Sequence, residues 1–306
     1  MGLVRNLKSR KKDLEASGDM YSSYKNMIFY GTFGKSSLCG ALSEKMKQPV
    51  LILSPSGGSE LVAKEYPNVI SYPVNSLKDI QAIYEDLIKD FKTVKSLQDV
   101  IRVGDKDRLQ KAKEHYGEEW EEIYTMAKNN EFSISTIVLE EVSTVSNWIQ
   151  ENLEDELDMA HLGENKGNLG IDWAKFSREI IDFYSKILRL PITTILSTGH
   201  IEPKEKQKLT QLTPDICQGN GSRKIIDLVG NVFYCYRTDD LKYKIRLTGN
   251  KDIYCKDKLL PVKTDKKLDE ELDLTGNPEA FWEYLDMLTE GSDRTIIKNK
   301  NTEEKK

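Results

Sequence analysis

The residues Gly31-Thr32-Phe33-Gly34-Lys35-Ser36-Ser37 have the types and spacing to hold a polyphosphate. They follow an apolar run, Met27-Ile-Phe-Tyr30, and precede a stretch with helical spacing. Glycines let backbone N–H groups turn toward an anion at a helix start. The ammonium of Lys35 supplies a positive charge for β- and γ-phosphates, and the hydroxyl of Ser36 can bind Mg²⁺. The usual pattern places another glycine five residues before the glycine of Gly-Lys-Ser. That position is Phe29 here, so the loop reads G-x-x-G-K-S and is two residues short. Two readings follow: a turn that closes more tightly than usual, or a remodelled nucleotide site.

Further chemistry lies at the ends of other apolar runs. Thr136-Ile-Val-Leu139 leads into Glu140 and Glu141. An acid held rigidly at a strand end beside a phosphate loop suits Mg²⁺ binding, which assigns Glu140 to the metal, and Glu141 suits the general base that orients and deprotonates a water. Consecutive carboxylates on a strand point to opposite faces unless the chain is already turning. His200 follows the apolar run Pro191–Ser197 and could sense a γ-phosphate by hydrogen bonding; it also reads as an ordinary histidine at a strand end. Lys256 and Lys258 stand two apart on a strand-like segment and point the same way, so both could reach an anion, in an oligomer a neighbour's γ-phosphate. A solvated charge cluster is the plainer reading of that pair.

The elements that must position these groups are legible as alternating strands and helices. Strands are expected at 27–31, 49–54, 68–74, 135–141 and 191–197, and a hairpin from 229–236 and 243–247. Helices are expected at 36–47, from Ser76 as N-cap through Ile88, at 145–157, at 173–190 and at 268–288. Residues 92–132 are charge-rich and helical in pattern, an insertion between core strands. Alternation of this kind predicts an α/β fold with a mostly parallel sheet flanked by helices, and ligands in such sheets bind at the carboxyl ends of the strands. That rule brings Lys35, Glu140, Glu141 and His200 to one edge.

Composition narrows the function classes. The chain has 306 residues, 38% hydrophobic and 31% charged, with a formal net charge of -5. That balance describes a soluble domain and argues against a globally basic nucleic-acid coat, while leaving room for a local basic channel. Four scattered cysteines form no C-x-x-C pair, so neither a zinc site nor a disulfide framework is expected, and a reducing cytoplasm fits. No apolar run approaches a membrane span, and the first residues lack the apolar stretch of a signal peptide.

With these residues in hand, the chain resembles RecA-like P-loop ATPases. More narrowly, it is similar to the phage family of AAA-type nucleotide-binding proteins that includes the Sak-group single-strand annealing and recombination ATPases. The resemblance covers about residues 26–262. It rests on the order of the loop Gly31–Ser37, the strand Pro49–Ser54 with its Gly57-Gly58 turn, the strand Val69–Val74, the acid strand Thr136–Glu141, the Trp173 helix, Thr198-Gly199-His200, and Arg246 before Cys255-Lys256-Asp257-Lys258. This last stretch is similar to the segment whose paired basic residues reach the neighbouring subunit's nucleotide. The departures are the short loop, Glu140 in place of Asp, Ser54-Pro55-Ser56 where relatives carry an acid, and Lys258 where Arg is common.

The resemblance implies ATP and Mg²⁺ as cofactors, a homo-oligomeric ring or filament, no membrane, and single-stranded DNA as partner. It implies a DNA-dependent ATPase of the cytoplasm, the host's if phage-encoded, in which loops 161–170 and 201–221 line a channel. The expected organisation is a basic arm at 1–25, a RecA-like core at 26–262, a C-terminal helical segment at 263–290 and a disordered tail at 291–306. The shortened loop keeps an alternative open: a scaffold that binds nucleotide weakly or not at all and acts by protein–protein assembly.

Overall fold

A computed structural model describes residues 26–129, 131–163, 170–203, 211–218, 221–256 and 269–289. The expected basic arm, the expected tail and Lys258 lie outside them, as do residues 164–169, 204–210 and 219–220 of the two expected channel loops.

Strand β1 (Asn26–Gly31) leads through the short loop into helix α1 (Lys35–Met46). Strands β2 (Val50–Ser54), β3 (Val69–Pro73), β4 (Thr136–Leu139) and β5 (Thr193–Thr198) follow. A small ribbon of β6 (His200–Ile201) and β7 (Thr213–Pro214) comes next, then β8 (Asn231–Arg237), β9 (Tyr243–Arg246) and β10 (Glu271–Asp273). The main sheet has the order β10-β9-β8-β1-β5-β4-β2-β3. Every pairing from β8 to β3 is parallel, and only β8/β9 and β9/β10 are antiparallel. The expected α/β class, mostly parallel sheet and C-terminal hairpin are therefore present.

The two-residue period of the strands sorts side chains onto two faces. Met27, Phe29, Ile52, Val138, Ile195, Phe233 and Cys235 pack on the face that carries α1 and α9 (Glu279–Thr289). Ile28, Tyr30, Leu53, Leu139, Leu196, Val232 and Tyr234 pack on the other, against α6 (Val142–Glu156) and α7 (Ile171–Leu188). Helix α9 clamps α1 in place: the indole N–H of buried Trp282 donates to the Leu38 carbonyl at 2.7 Å, and Lys45 pairs with Asp286.

The insertion is helical, but its boundary differs from the composition shift near residue 92. A single helix α3 (Leu77–Val103) starts at Ser76, whose hydroxyl accepts from the Asp79 N–H at 3.3 Å, and runs straight through. Its first half buries Leu77, Ile80, Leu87 and Phe91 in the main core. Its second half buries Val94 and Leu97 in a satellite core with Trp120 and Ala127 of α5 (Trp120–Asn129), beside α4 (Lys106–Tyr116). Charge density changed because the partner surface changed, not because the helix ended.

Three short elements carry too little periodicity to be read in advance. Helix α2 (Glu60–Glu65) buries only Val62, and α8 (Gly221–Leu228) hides behind a polar, glycine-rich flank. The helix expected from residue 268 begins at Glu279. Strand β10 and a turn at Gly276 (φ 72°) precede it, followed by Pro278, and proline favours the first turn of a helix over its interior.

All four cysteines are free thiols. Burial raises the pKa of each above the ordinary 9.0, that of Cys235 and Cys255 to about 12. Burial likewise raises the phenols of Tyr30 and Tyr184. A group held protonated by the fold contributes stability that is fully present below its unfolded pKa and is lost as pH rises toward the folded value. The thermal midpoint should therefore hold near neutrality and fall once pH passes 9.0, where unfolded thiols ionise. A calorimetric midpoint that stays level from about pH 7 to about pH 11 would contradict this burial.

Candidate functional site

The glycines of the loop are required by backbone geometry. Gly31 ends β1 at φ 117°, and a Cβ there would stand 2.1 Å from the Cys235 carbonyl oxygen on β8. Gly34 sits at φ 82° immediately before α1, with only Tyr243 Cδ1 at 4.0 Å. Between them, the Thr32 N–H donates to the Cys235 carbonyl at 3.0 Å, so the first amide of the loop is used to tie it to β8. Phe33 projects outward and is 47% exposed. This is how two residues can be missing: the turn is closed by pairing with the neighbouring strand rather than by a wide arch.

Helix α1 begins without a side-chain cap. Its first backbone bond runs from the Leu38 N–H to the Gly34 carbonyl at 3.1 Å, which leaves the amides of Lys35, Ser36 and Ser37 in the first turn, where a helix makes no internal bond. An anion at this end also meets the positive end of the helix dipole, worth about 0.3–1 kcal/mol. Lys35 Nζ folds back to donate to the Gly31 carbonyl at 2.7 Å, across the mouth of the loop. Burial lowers its pKa, opposed by nearby Cys235, Glu140, Cys39 and Glu141.

Glu140 extends β4 by one residue: its N–H donates to the Leu53 carbonyl at 3.0 Å. Alternation from Val138 puts the Glu140 side chain on the α1 face, where the Ser36 hydroxyl donates to Glu140 Oε1 at 2.5 Å. The residues expected to share a metal thus meet across 104 positions of sequence. Ser54, the last residue of β2, points to the same face beside them, and its fully buried hydroxyl oxygen has no protein partner. A buried hydroxyl without a partner costs about 1–3 kcal/mol, and water in a cation's shell would satisfy it. Among the described residues no group of three or more His, Cys, Asp or Glu side chains could hold a metal ion. The donor set of one hydroxyl and one carboxylate fits Mg²⁺, which keeps several waters and takes phosphate oxygens as its remaining ligands.

Glu141 leaves the strand. Its backbone is left-handed (φ 48°, ψ 52°), and its carbonyl accepts the Thr144 N–H at 2.8 Å to start α6. It remains close enough to contribute to the field on Lys35. A non-glycine residue in this conformation carries roughly 1–3 kcal/mol of strain.

The remaining expected residues fall elsewhere. His200 lies on the opposite face of the sheet from α1, edge-on to the Tyr234 ring at 6.1 Å. Tyr234 in turn packs on Tyr30 at 5.0 Å, so His200 is joined to β1 through two rings. Lys256 Nζ donates to the carbonyls of Ile226 (2.8 Å) and Asp227 (3.2 Å) at the end of α8. Sequence reasoning missed two residues at the loop. Arg237 and Tyr243 are cross-strand partners where β8 turns into β9, and the Arg237 guanidinium stands 5.7 Å from the Phe33 ring centre and 5.6 Å from that of Tyr243. An apolar strand ending in Arg, mirrored by Tyr across a short turn, was the available signal.

In this sheet β5 lies between the loop strand β1 and the acid strand β4. Together with the Gly-Lys-Ser helix start, that order agrees with the RecA-like α/β fold expected from the resemblance. No protein-family model matches the chain, and no curated protein matches it in sequence. Among solved structures it is similar to a KaiC-like protein of the hyperthermophilic archaeon Pyrococcus horikoshii OT3, with a TM-score of 0.38 and 9% identity over 83% of this chain and 85% of that one. The fold assignment rests on the strand order itself. No helix among the described residues is long and apolar enough to cross a membrane.

Proposed function

We propose that this chain binds Mg²⁺–ATP at the start of α1 and hydrolyses it slowly, as the subunit of a homo-oligomer that works on single-stranded DNA in recombination, annealing or replication. The observation that carries the nucleotide reading is the 2.5 Å contact between Ser36 and Glu140 at an uncapped helix start, with the Lys35 ammonium alongside. Lys35 and the first-turn amides would hold phosphate oxygens, and Ser36 with Glu140 would hold the cation. Bound Mg²⁺ would supply charge neutralisation on the phosphates. Glu141, next along the chain from Glu140 and within the field of Lys35, would accept a proton from water. His200 would relay nucleotide state to the DNA-facing loops through Tyr234. Slow turnover follows from Ser54, which occupies the end of β2 where the resembling ATPases carry an acid.

A second reading has its own support. The loop amide of Thr32 is engaged by Cys235, which fits a protein that clamps nucleotide without turnover and serves in assembly.

Steady-state ATP hydrolysis with and without single-stranded DNA separates the two. Turnover stimulated by DNA is the expected result, and binding without turnover in either condition favours the scaffold. Glu140→Gln keeps an acceptor for Ser36 and removes the charge. It should weaken the apparent Mg²⁺ affinity about ten- to hundredfold. An unchanged Mg²⁺ titration would remove Glu140 from the site.

A further inference from the structure

Tyr30 stands one residue before Gly31 of the phosphate loop, yet its fully buried side chain leaves on the opposite face of the sheet from α1. Burial keeps the phenol protonated, so it acts as a donor. Its hydroxyl has two acceptors, the Tyr254 carbonyl at 2.6 Å and the Leu212 carbonyl at 3.1 Å. A phenol carries one proton to donate, so the two carbonyls compete for it. They lie on segments that are themselves paired. The Leu212 N–H donates to the Asp252 carbonyl at 2.7 Å, and the Tyr254 N–H donates to the Leu212 carbonyl at 3.0 Å. Leu212 directly precedes β7, which pairs with β6 and so with His200. Tyr254 lies two residues before Lys256, whose N–H donates to the Val232 carbonyl at 3.0 Å. One hydroxyl thus ties the strand that enters the phosphate loop to the two segments that carry His200 and Lys256.

We infer that Tyr30 is a positioning residue that couples phosphate binding at the start of α1 to the paired segments 211–214 and 252–256, by shifting its O–H between their two carbonyls. The inference rests on the proposal that phosphates bind there. Without phosphate, the Lys35 ammonium donates to the Gly31 carbonyl at 2.7 Å. A phosphate that draws this ammonium to itself frees the Gly31 carbonyl, next along the chain from Tyr30. Packed interiors answer such small shifts by changing between discrete arrangements, and a hydroxyl between two carbonyls is an element of that kind. The route is separate from the ring contact of His200 with Tyr234. It gives the far face of the sheet, where the proposed function places single-stranded DNA, a shape that depends on the nucleotide.

The test is amide hydrogen exchange of the wild type and of Tyr30→Phe, each with and without an excess of Mg²⁺–ATP, beside equilibrium ATP binding. Phenylalanine keeps the ring that packs on Tyr234 at 5.0 Å and removes the donor. In the wild type, Mg²⁺–ATP should change exchange at the Leu212 and Tyr254 amides about fivefold or more. In Tyr30→Phe the same amides should respond by less than about twofold, while ATP affinity stays within about twofold of the wild type. A purely structural role would lower the thermal midpoint of the variant and leave the response of these amides intact, which overturns the inference. So does a wild type in which ATP protects the Lys35, Ser36 and Ser37 amides but leaves Leu212 and Tyr254 unchanged, a result that stands even where the variant fails to fold. No protection of the three loop amides overturns the phosphate site and the coupling with it.

Discussion

Gly31→Ala should be among the most damaging single substitutions in this chain. The new methyl would stand 2.1 Å from the Cys235 carbonyl oxygen and 2.9 Å from Tyr234 Cε2. The first neighbour is backbone of a central strand and cannot step aside without breaking the β1/β8 ladder. At φ 117° the backbone is also one that side-chain-bearing residues rarely adopt. Strain of about 1–3 kcal/mol adds to an overpacking cost of similar size. A domain is stable by only about 5–15 kcal/mol, so the loss is a large share of the whole. Gly34→Ala is the control. It shares the positive φ, but its nearest foreign atom is 4.0 Å away, so it should lose only the strain term. Urea unfolding of the two variants checks the difference, and equal midpoints would mean the close approach of β1 to Cys235 is wrong.

Lys35→Ala should do the reverse, removing function while sparing the fold. Losing a charged donor to phosphate costs about 1.5–3 kcal/mol, a fall in ATP affinity of about ten- to 150-fold. Stability moves the other way. Burial lowers the Lys35 pKa, so the folded protein holds that proton less tightly than the unfolded chain does. The charge is therefore a cost to folding at neutral pH, a cost that shrinks as pH rises through the depressed folded value. The variant gives up the bond to the Gly31 carbonyl but sheds this desolvation cost. Its thermal midpoint should stand at or above that of the wild type. Unchanged ATP affinity in a folded Lys35→Ala protein would remove the lysine from the site.

The Gly31 and Lys35 predictions draw on parts of the site that differ in how legible they were beforehand. The loop residues, the two acids and the strand–helix alternation are local patterns, and local patterns are written in consecutive residues. Glu140 could be assigned to the α1 face once β4 was in place, because the alternation that buries Val138 carries over to it. The Glu141 position was less legible: two adjacent acids on a strand face opposite ways, yet only the structure shows the chain turning left-handed there to start α6.

Contacts between distant segments were not legible. Nothing near Gly31 in the sequence announces that Cys235 will close the loop, which is why the missing residues looked like a defect. Nothing near Lys256 announces the carbonyls of α8 that hold its ammonium. His200 was expected at the end of the strand from 191, but it lies in β6, past the end of β5, and the face it takes is a property of the packed sheet and not of the run Thr198-Gly199-His200.

By itself, then, the amino-acid order determined the element types, the parallel α/β class and the identity of the phosphate, metal and base candidates. Periodicity and turn chemistry act over a few residues, so they can be read along the chain. Tertiary structure alone decided that a four-residue loop closes by pairing with β8, that Ser54 lies buried and unpartnered beside Glu140, and that Phe33, Arg237 and Tyr243 assemble one aromatic wall. Those outcomes depend on strand order, and strand order is set by how distant apolar faces bury one another.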